Sequence, residues 1–225
     1  PVLVAHRGGA AERPENTLEA YRHAISTGAT LFETDIHLSK DGEMVVMHDG
    51  TLDRTTSLKG KVADTPWEAM RAAGIPKLAD LYRETRGKGV TIVEIKAGDG
   101  VEAKLVDFLR AEKLEPETIV CGSDRTRVER TKRLAPGLVG MWLVAAKVTD
   151  ATALVEDARK SGFDGIGVSY RNLPDDLPDA ARRANLPLFV WTVPPGPDVD
   201  RLRRLRVNFV ITDHPTAVRD QLARD

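Results

Sequence analysis

The sequence predicts an α/β protein whose strands close into a parallel (β/α)8 barrel, also called a TIM barrel. Two observations lead to this prediction. Short apolar runs alternate along the chain with helix-like stretches, and most runs are continuously apolar, as is typical of strands covered on both faces. Only residues 39–43 separate the second run from the third, too few for a parallel crossover, so the third run stands outside the barrel as a hairpin extension.

The strand runs support the barrel in chain order. Nine are present, and setting the third aside leaves the eight that a (β/α)8 barrel needs, with a doubly wound α/β sheet as the alternative. Between the runs lie amphipathic stretches, such as the one in which Leu18, Tyr21 and Ile25 share a helix face. The nine runs span residues 2–6, 31–38, 44–48, 91–96, 118–122, 139–144, 165–170, 188–193 and 209–212.

The hairpin formed by the second and third runs predicts a specific contact. Its centre is an Asp-Gly pair, which favours a two-residue turn. With that turn, Asp35 faces His48 directly, with the two Cβ atoms about 5 Å apart. Glu33 lies on the same face as Asp35 because side chains alternate along a strand. The simplest register therefore brings Glu33, Asp35 and His48 together.

Length and composition set the broad class. The 225 residues, 41% hydrophobic and 30% charged, suit one globular domain over residues 1–225, and no Gly/Ser linker divides the chain. A net charge of −1 gives no indication of nucleic-acid binding, and no apolar run approaches the ~20 residues of a membrane helix. The single cysteine, Cys121, excludes an internal disulfide. We expect a cytoplasmic protein without integral membrane contact; the sequence leaves its oligomeric state open.

Polar residues at the ends of several strand runs are the candidates for a site. Such barrels place their sites at the carboxyl ends of the strands. Each residue taken alone could instead cap the following helix, but convergence from four strands favours a site. Besides the hairpin residues Glu33, Asp35 and His48, the candidates are His6, Arg7, Glu94, Lys96, Trp191 and Asp213.

Three of these candidates are carboxylates that could hold one divalent cation. Glu33, Asp35 and Glu94 offer only oxygen ligands, which suit Mg²⁺ or Ca²⁺ rather than Zn²⁺. Three carboxylates around a dication leave one negative charge, which would repel an anionic substrate. Arg7 and Lys96 would reverse that balance and bind the oxygens of such a substrate, although Lys96 could instead simply pair with Glu94.

Two histidines are the candidate acid–base pair. Histidine titrates near neutral pH, so one ring can accept a proton while the other donates one. A lone histidine at a strand end is more often only hydrogen-bonded within the fold. Because His6 and His48 flank a carboxylate cluster, we expect both to be catalytic.

The first quarter of the chain, AHRGGAAERPENT…FETDIHLSKDGEMVVMHDGTLDRTT, resembles the glycerophosphodiester phosphodiesterase family. The resemblance implies a TIM barrel and a divalent cation held by carboxylates at the positions of Glu33, Asp35 and Glu94. It also implies that one histidine activates an attacking hydroxyl, of water or of the glycerol itself, while the other protonates the leaving alcohol. Trp191 would form an apolar wall against the glycerol moiety, although core packing is the other interpretation.

The resemblance predicts metal-dependent hydrolysis of small-molecule glycerophosphodiesters to sn-glycerol 3-phosphate and an alcohol. Two alternatives remain: a related barrel phospholipase D acting on lysolipids or sphingolipids, and a non-catalytic barrel that binds phosphate esters. The short segment between Gly50 and Lys77 favours a shallow, open site for small diesters.

The remaining polar residues near these motifs are predicted to have supporting or structural roles. We expect Glu15 to orient Arg7, Asp49 to position His48, and Asn16 to be either a helix cap, paired with Glu19, or a site residue. His37 could line the pocket. The segment that follows the hairpin is expected to be mainly structural, and it contains Asp53, Arg54, Thr55 and Thr56.

Overall fold

The computed structural model describes residues 1–224, and its centre is a closed barrel of eight parallel strands. The first strand pairs with both its sequence neighbour and the last strand, which closes the sheet. The predicted (β/α)8 barrel is therefore confirmed. The barrel strands are β1 (Val2–Ala5), β2 (Leu31–Leu38), β4 (Val90–Ala97), β5 (Thr118–Gly122), β6 (Val139–Val144), β7 (Gly165–Ser169), β8 (Leu188–Trp191) and β9 (Phe209–Thr212).

Helices follow the barrel strands and cover the outside of the sheet. Asp124 and Asp150 cap two of them, each with a side-chain oxygen that accepts a hydrogen bond from the first helical turn. The helices are α1 (Leu18–Ser26), α2 (Trp67–Ala72), α3 (Leu78–Thr85), α4 (Val101–Glu112), α5 (Arg125–Leu134), α6 (Ala151–Lys160), α7 (Leu177–Arg183), α8 (Pro197–Arg204) and α9 (Pro215–Leu222).

The cap of α1 differs from the prediction. Thr17, not Asn16, is the N-cap residue, and its hydroxyl oxygen accepts a hydrogen bond from the Ala20 amide at 3.2 Å. Asn16 is buried and has a positive φ of 58°, a conformation that asparagine tolerates better than most residues. With this backbone conformation, the Asn16 side chain points into the barrel and contacts Asp35 instead of capping the helix.

The hairpin is antiparallel as predicted, but its register is shifted by one residue. The third strand, β3 (Met44–Val46), pairs with β2 so that Ile36 lies opposite Val46. The turn contains three residues rather than two, because the Gly42 amide donates to the Ser39 carbonyl and Gly42 takes a φ of 78°. The backbone carbonyl of Asp35 consequently accepts a hydrogen bond from the Met47 amide, and the predicted direct pairing of Asp35 with His48 is wrong.

Two apolar layers stabilise the barrel. The larger layer packs between the sheet and the helices, while a smaller one fills the barrel interior below the strand ends. In the interior, Phe189 and Phe209 stack with ring centroids 4.1 Å apart. The buried interior side chains are Val4, Ile92, Cys121, Met141, Phe189 and Ile211, and Phe209 packs against them partly buried. This interior layer forms a solid floor beneath the polar residues at the strand ends.

The segment between β3 and α3 forms a small insertion at the barrel mouth. It contains a short 3-10 helix (Val62–Asp64) and α2, and it has an apolar cluster of its own. The cluster consists of Val45, Met47, Leu52, Val62, Met70 and Ile75. Within residues 1–224, no helix is both long and apolar enough to cross a membrane.

Candidate active site

A cavity of about 260 Å³ opens at the carboxyl ends of the barrel strands, above the apolar floor. Seven of the nine candidates selected from the sequence line it. Of the other two, Asp35 lies fully buried behind them, and Asp213 contacts His6 from outside the lining. The lining residues that the sequence predicted are His6, Arg7, Glu33, His48, Glu94, Lys96 and Trp191. The tertiary structure therefore brings together residues from both halves of the chain.

Three buried carboxylates meet at one side of this cavity. Glu33, Asp35 and Glu94 each offer an oxygen within 4.8 Å of the others. They come together because parallel pairing sets Asp35 of β2 beside Glu94 of β4, while Glu33 lies two residues earlier on the same face of β2. The cluster is thus a direct consequence of strand register.

Crowding of these carboxylates changes their protonation. Burial and the neighbouring Asp35 charge raise the pKa of Glu33 to about 8. Burial also raises the pKa of Glu94. Burial acts in the same direction on Asp35, but the charges of Lys96 and Arg7 outweigh it and lower the pKa of that carboxyl. The site concentrates negative charge that cations must balance.

These carboxylates fit a hard divalent cation. All three donors are oxygens, and Asp35 Oδ1 is buried without accepting a hydrogen bond from any residue within 1–224. Lys96 Nζ lies 3.1 Å from that oxygen and 2.8 Å from Glu94 Oε2, so its ammonium supplies part of the balancing charge. The ion pair with Glu94 that the sequence left open is therefore present, and Lys96 also reaches the cavity.

Arg7 contributes its backbone as well as its side chain. Its φ is 50°, in the left-handed region, and its amide donates to Glu33 Oε2 at 3.0 Å. Gly8 follows with a φ of 80°, and a Cβ there would lie 2.7 Å from Ala20 Cβ, so only glycine fits against α1. This turn directs the end of β1 toward the carboxylates.

His6 is held by a carboxylate from the other end of the chain. Its Nδ1 lies 2.6 Å from Asp213 Oδ1, just after β9, and its Nε2 lies 3.8 Å from Glu33 Oε2. Burial lowers the pKa of His6, but the charge of Glu33 and the hydrogen bond with Asp213 together outweigh burial and raise it. Because Asp213 occupies Nδ1, the ring presents Nε2 to the cavity.

His48 has the same arrangement on the insertion side of the cavity. Its Nδ1 lies 2.7 Å from Asp49 Oδ1, so its Nε2 is likewise the free ring nitrogen. His37, which the sequence suggested for the pocket, instead donates from Nε2 to the His48 carbonyl at 3.0 Å. His37 therefore supports the backbone at His48 and does not line the cavity.

Other residues reach the carboxylates from behind. Asn16 donates from Nδ2 to Asp35 Oδ2 at 2.9 Å, and the Tyr21 hydroxyl donates to Asn16 Oδ1 at 2.8 Å. Glu15 accepts a hydrogen bond from Arg7 Nη1 at 3.0 Å, as the sequence predicted. The sequence alone did not decide whether Asn16 is a helix cap or a site residue, because an asparagine just before a helix fits both roles.

Two further hollows adjoin the cavity. One, of about 330 Å³, shares Trp191 and Thr192 with the cavity and extends along Tyr170 and Arg171. The other, of about 320 Å³, lies between the loop after β1 and the insertion, and it shares His48 with the cavity. Because Trp191 lines both the cavity and the first of these hollows, it forms the wall between them.

Comparisons with known proteins agree with this geometry. A model of the glycerophosphoryl diester phosphodiesterase family matches residues 6–217. The chain is 30% identical over 242 residues to a glycerophosphodiester phosphodiesterase of Caldanaerobacter subterraneus subsp. tengcongensis, a match that covers 95% of this chain and 94% of that protein.

Solved structures share the fold over nearly the whole chain. A glycerophosphodiester phosphodiesterase of Thermotoga maritima aligns with a TM-score of 0.84 and 25% identity, covering 98% of this chain and 97% of that one. A phosphodiesterase of Oleispira antarctica, in complex with the product sn-glycerol-3-phosphate, aligns with a TM-score of 0.86 and 21% identity, covering 100% of this chain and 97% of that one.

Proposed function

Because the chain belongs to the glycerophosphoryl diester phosphodiesterase family, we propose that it hydrolyses glycerophosphodiesters to sn-glycerol 3-phosphate and an alcohol. One observation of the site supports this function most strongly. Two histidines, His6 and His48, line one cavity, and a carboxylate holds Nδ1 of each, so both present Nε2 to the same space. The Oleispira antarctica phosphodiesterase, which shares the fold, binds sn-glycerol-3-phosphate as its product.

Proton transfer is assigned to the two histidines. One ring removes the proton from the attacking hydroxyl, and the other gives a proton to the oxygen of the departing alcohol as its bond to phosphorus breaks. Asp213 and Asp49 keep each ring in the tautomer that this exchange needs and stabilise it when it is protonated. The ring that gained a proton then releases it to solvent, and the ring that lost one takes a proton from solvent, so that one water is consumed and both rings are restored.

The metal is assigned to Glu33, Asp35 and Glu94 as Mg²⁺ or Ca²⁺. Their buried oxygens are donors of the kind these ions prefer. A dication bound there supplies Lewis-acid stabilisation of charge on a phosphoryl oxygen. The Arg7 amide holds Glu33 in place, and Asn16 holds Asp35, so two of the three ligands are oriented by hydrogen bonds from outside the cluster.

Substrate binding is assigned to Arg7, Lys96 and Trp191. The Arg7 guanidinium and the Lys96 ammonium both lie beside Asp35, where the phosphate would bind. Together they offset the negative charge that remains when the three carboxylates bind a dication. Trp191 offers an apolar wall to the glycerol carbons. The alcohol would extend toward solvent, where the cavity does not enclose it.

A substrate panel tests this proposal. Turnover of glycerophosphodiesters carrying choline, ethanolamine, glycerol and inositol should depend on Mg²⁺ or Ca²⁺, with kcat/KM differing by less than roughly a hundredfold, since an unenclosed group contributes few contacts. Lysophosphatidylcholine should be a weak substrate. A strong preference for it would favour the phospholipase D alternative, and binding without turnover would favour the non-catalytic one.

A further inference from the structure

Arg54, on the loop after the hairpin, forms an unusually complete set of contacts at the cavity rim. Nε and Nη2 donate to the two oxygens of Asp49 at 2.7 and 3.0 Å, while Nη1 and Nη2 donate to those of Glu15 at 2.8 and 2.7 Å. The guanidinium therefore uses two edges of its rigid fork, one for each carboxylate. A lysine ammonium cannot reproduce that geometry.

Both carboxylates also hold a residue of the candidate active site. The Glu15 oxygen that binds Arg54 Nη2 accepts a hydrogen bond from Arg7 Nη1 at 3.0 Å. The Asp49 oxygen that binds Arg54 Nη2 lies 2.7 Å from His48 Nδ1. A continuous chain of charged contacts thus joins the loop after β1 to the loop after β3.

We propose that Arg54 is a positioning residue, which holds His48 and Arg7 in a fixed relation across the cavity by orienting Asp49 and Glu15. This inference rests on the proposed function, because it gives Arg54 an effect on turnover. Arg54 does not line the cavity and acts only through the two carboxylates. The sequence predicted a mainly structural role for the segment after the hairpin. The proposal gives one of its residues, Arg54, a role in the active site as well.

Asp49 needs this support because its own restraint is weak. Its side chain is only partly buried, and a carboxylate on a short stem can rotate away from the neighbouring ring. Two hydrogen bonds from Arg54 fix the plane of the carboxylate so that Oδ1 faces His48. The Arg54 hydrogen bond is also the main cause that lowers the pKa of Asp49, which keeps it ionised as an acceptor.

The same contacts have little weight for folding. The Arg54 side chain is 48% exposed, and ion pairs at that exposure contribute little to stability. The insertion has its own apolar cluster, to which Arg54 does not belong. Loss of Arg54 should therefore change the relative position of the loops after β1 and β3 far more than it changes the stability of the fold.

Three variants of the full chain, assayed with glycerophosphocholine and Mg²⁺, separate positioning from general stability. Arg54→Met removes the charge and the hydrogen bonds, whereas Arg54→Lys keeps the charge and removes the fork. Arg71→Met is the matched control, because Arg71 also lies on the insertion and pairs with a carboxylate, Glu68, at 3.0 Å, but has no contact with the site. Thermal unfolding of each variant is measured alongside the kinetics.

We expect Arg54→Met to lower kcat about 10–100-fold, the usual effect of removing a group that orients a functional side chain. Arg54→Lys should be nearly as impaired, while Arg71→Met should match the wild type. All three should unfold within a few degrees of the wild type. A wild-type kcat in Arg54→Met, or full activity in Arg54→Lys, would overturn the inference.

The ring of His48 provides a readout that does not depend on turnover. Its imidazole ¹⁵N resonances, assigned with His48→Gln, should shift in Arg54→Met, whereas those of His6 should stay unchanged because Asp213 still holds that ring. Unchanged His48 resonances would also overturn the inference. If the wild type hydrolysed no diester, the proposed function would fail, and the resonances would still decide whether Arg54 orients His48.

Discussion

His6 Nδ1 lies 2.6 Å from Asp213 Oδ1, although 207 positions separate the two residues along the chain. The contact exists because β1 and β9 are neighbours that close the barrel. It holds the ring with Nε2 toward Glu33 and the cavity. The closure of the sheet therefore also sets the tautomer of a candidate catalytic histidine.

Asp213→Asn should lower kcat about 10²–10⁴-fold, because an amide can hold the ring in the wrong tautomer and does not stabilise its protonated form. His6→Ala should have an effect of similar size. The double variant should lose little more than His6→Ala alone if both residues serve one step. Steady-state kinetics of the three proteins measures this, and multiplying effects would show that Asp213 acts independently of His6.

Two substitutions at the carboxylate cluster should change metal affinity in opposite directions. Glu33→Gln removes a ligand charge and should weaken Mg²⁺ or Ca²⁺ binding. Lys96→Met removes a cation that lies 2.8 Å from Glu94 and 3.1 Å from Asp35, and it should tighten binding. Both should lower turnover, because Lys96 is also assigned to the phosphate.

Calorimetric titration of the metal-free variants measures these affinities directly. Weaker binding by Lys96→Met would show that Lys96 supports the metal site rather than opposing the ion. Unchanged binding by Glu33→Gln would remove Glu33 from the ligand set.

Gly8→Ala should reduce the free energy of unfolding by about 2–4 kcal/mol, since it combines an unfavourable φ with a clash. A Cβ at that position would lie 2.7 Å from Ala20 Cβ. Gly28→Ala is the control, because Gly28 has a similar φ of 87° but no neighbouring atom within 4 Å, and it should cost about 1 kcal/mol. Urea unfolding compares the two, and equal losses would mean that α1 moves aside at little cost.

The contribution of Arg54 to stability should depend on pH. Its hydrogen bonds are the main cause that lowers the pKa values of Glu15 and Asp49 from their ordinary 4.5 and 3.8. A carboxyl pKa that is lowered in the folded state contributes stability above its ordinary value, and this contribution is lost as the pH falls through the folded value.

Wild type should therefore unfold slightly above Arg54→Met at pH 5 and higher, by roughly 2–4 °C, because exposed pairs contribute little. The difference should shrink below about pH 4 and vanish once both carboxyls are protonated. Melting curves at several pH values test this, and a difference that grew in acid would contradict the sign of both pKa shifts.

The sequence by itself determined the barrel and most of the site's members. Short runs marked every strand, with the bounds of β2, β5, β6 and β9 predicted to the residue. Most of these runs are continuously apolar, because strands covered on both faces leave a strong local pattern. Polar residues at the ends of these runs identified seven of the cavity's lining residues, since a parallel barrel gathers its strand ends at one face.

Only the tertiary structure decided how these residues meet. One residue in the turn put Met47 rather than His48 opposite Asp35, because a three-residue loop ending in a left-handed glycine shifts the whole hairpin register. Asn16 and Arg54 gained their partners from loops that are distant in the sequence, and no spacing pattern encodes such hydrogen bonds. Local sequence sets periodicity, whereas contacts between loops depend on how the closed barrel places their ends.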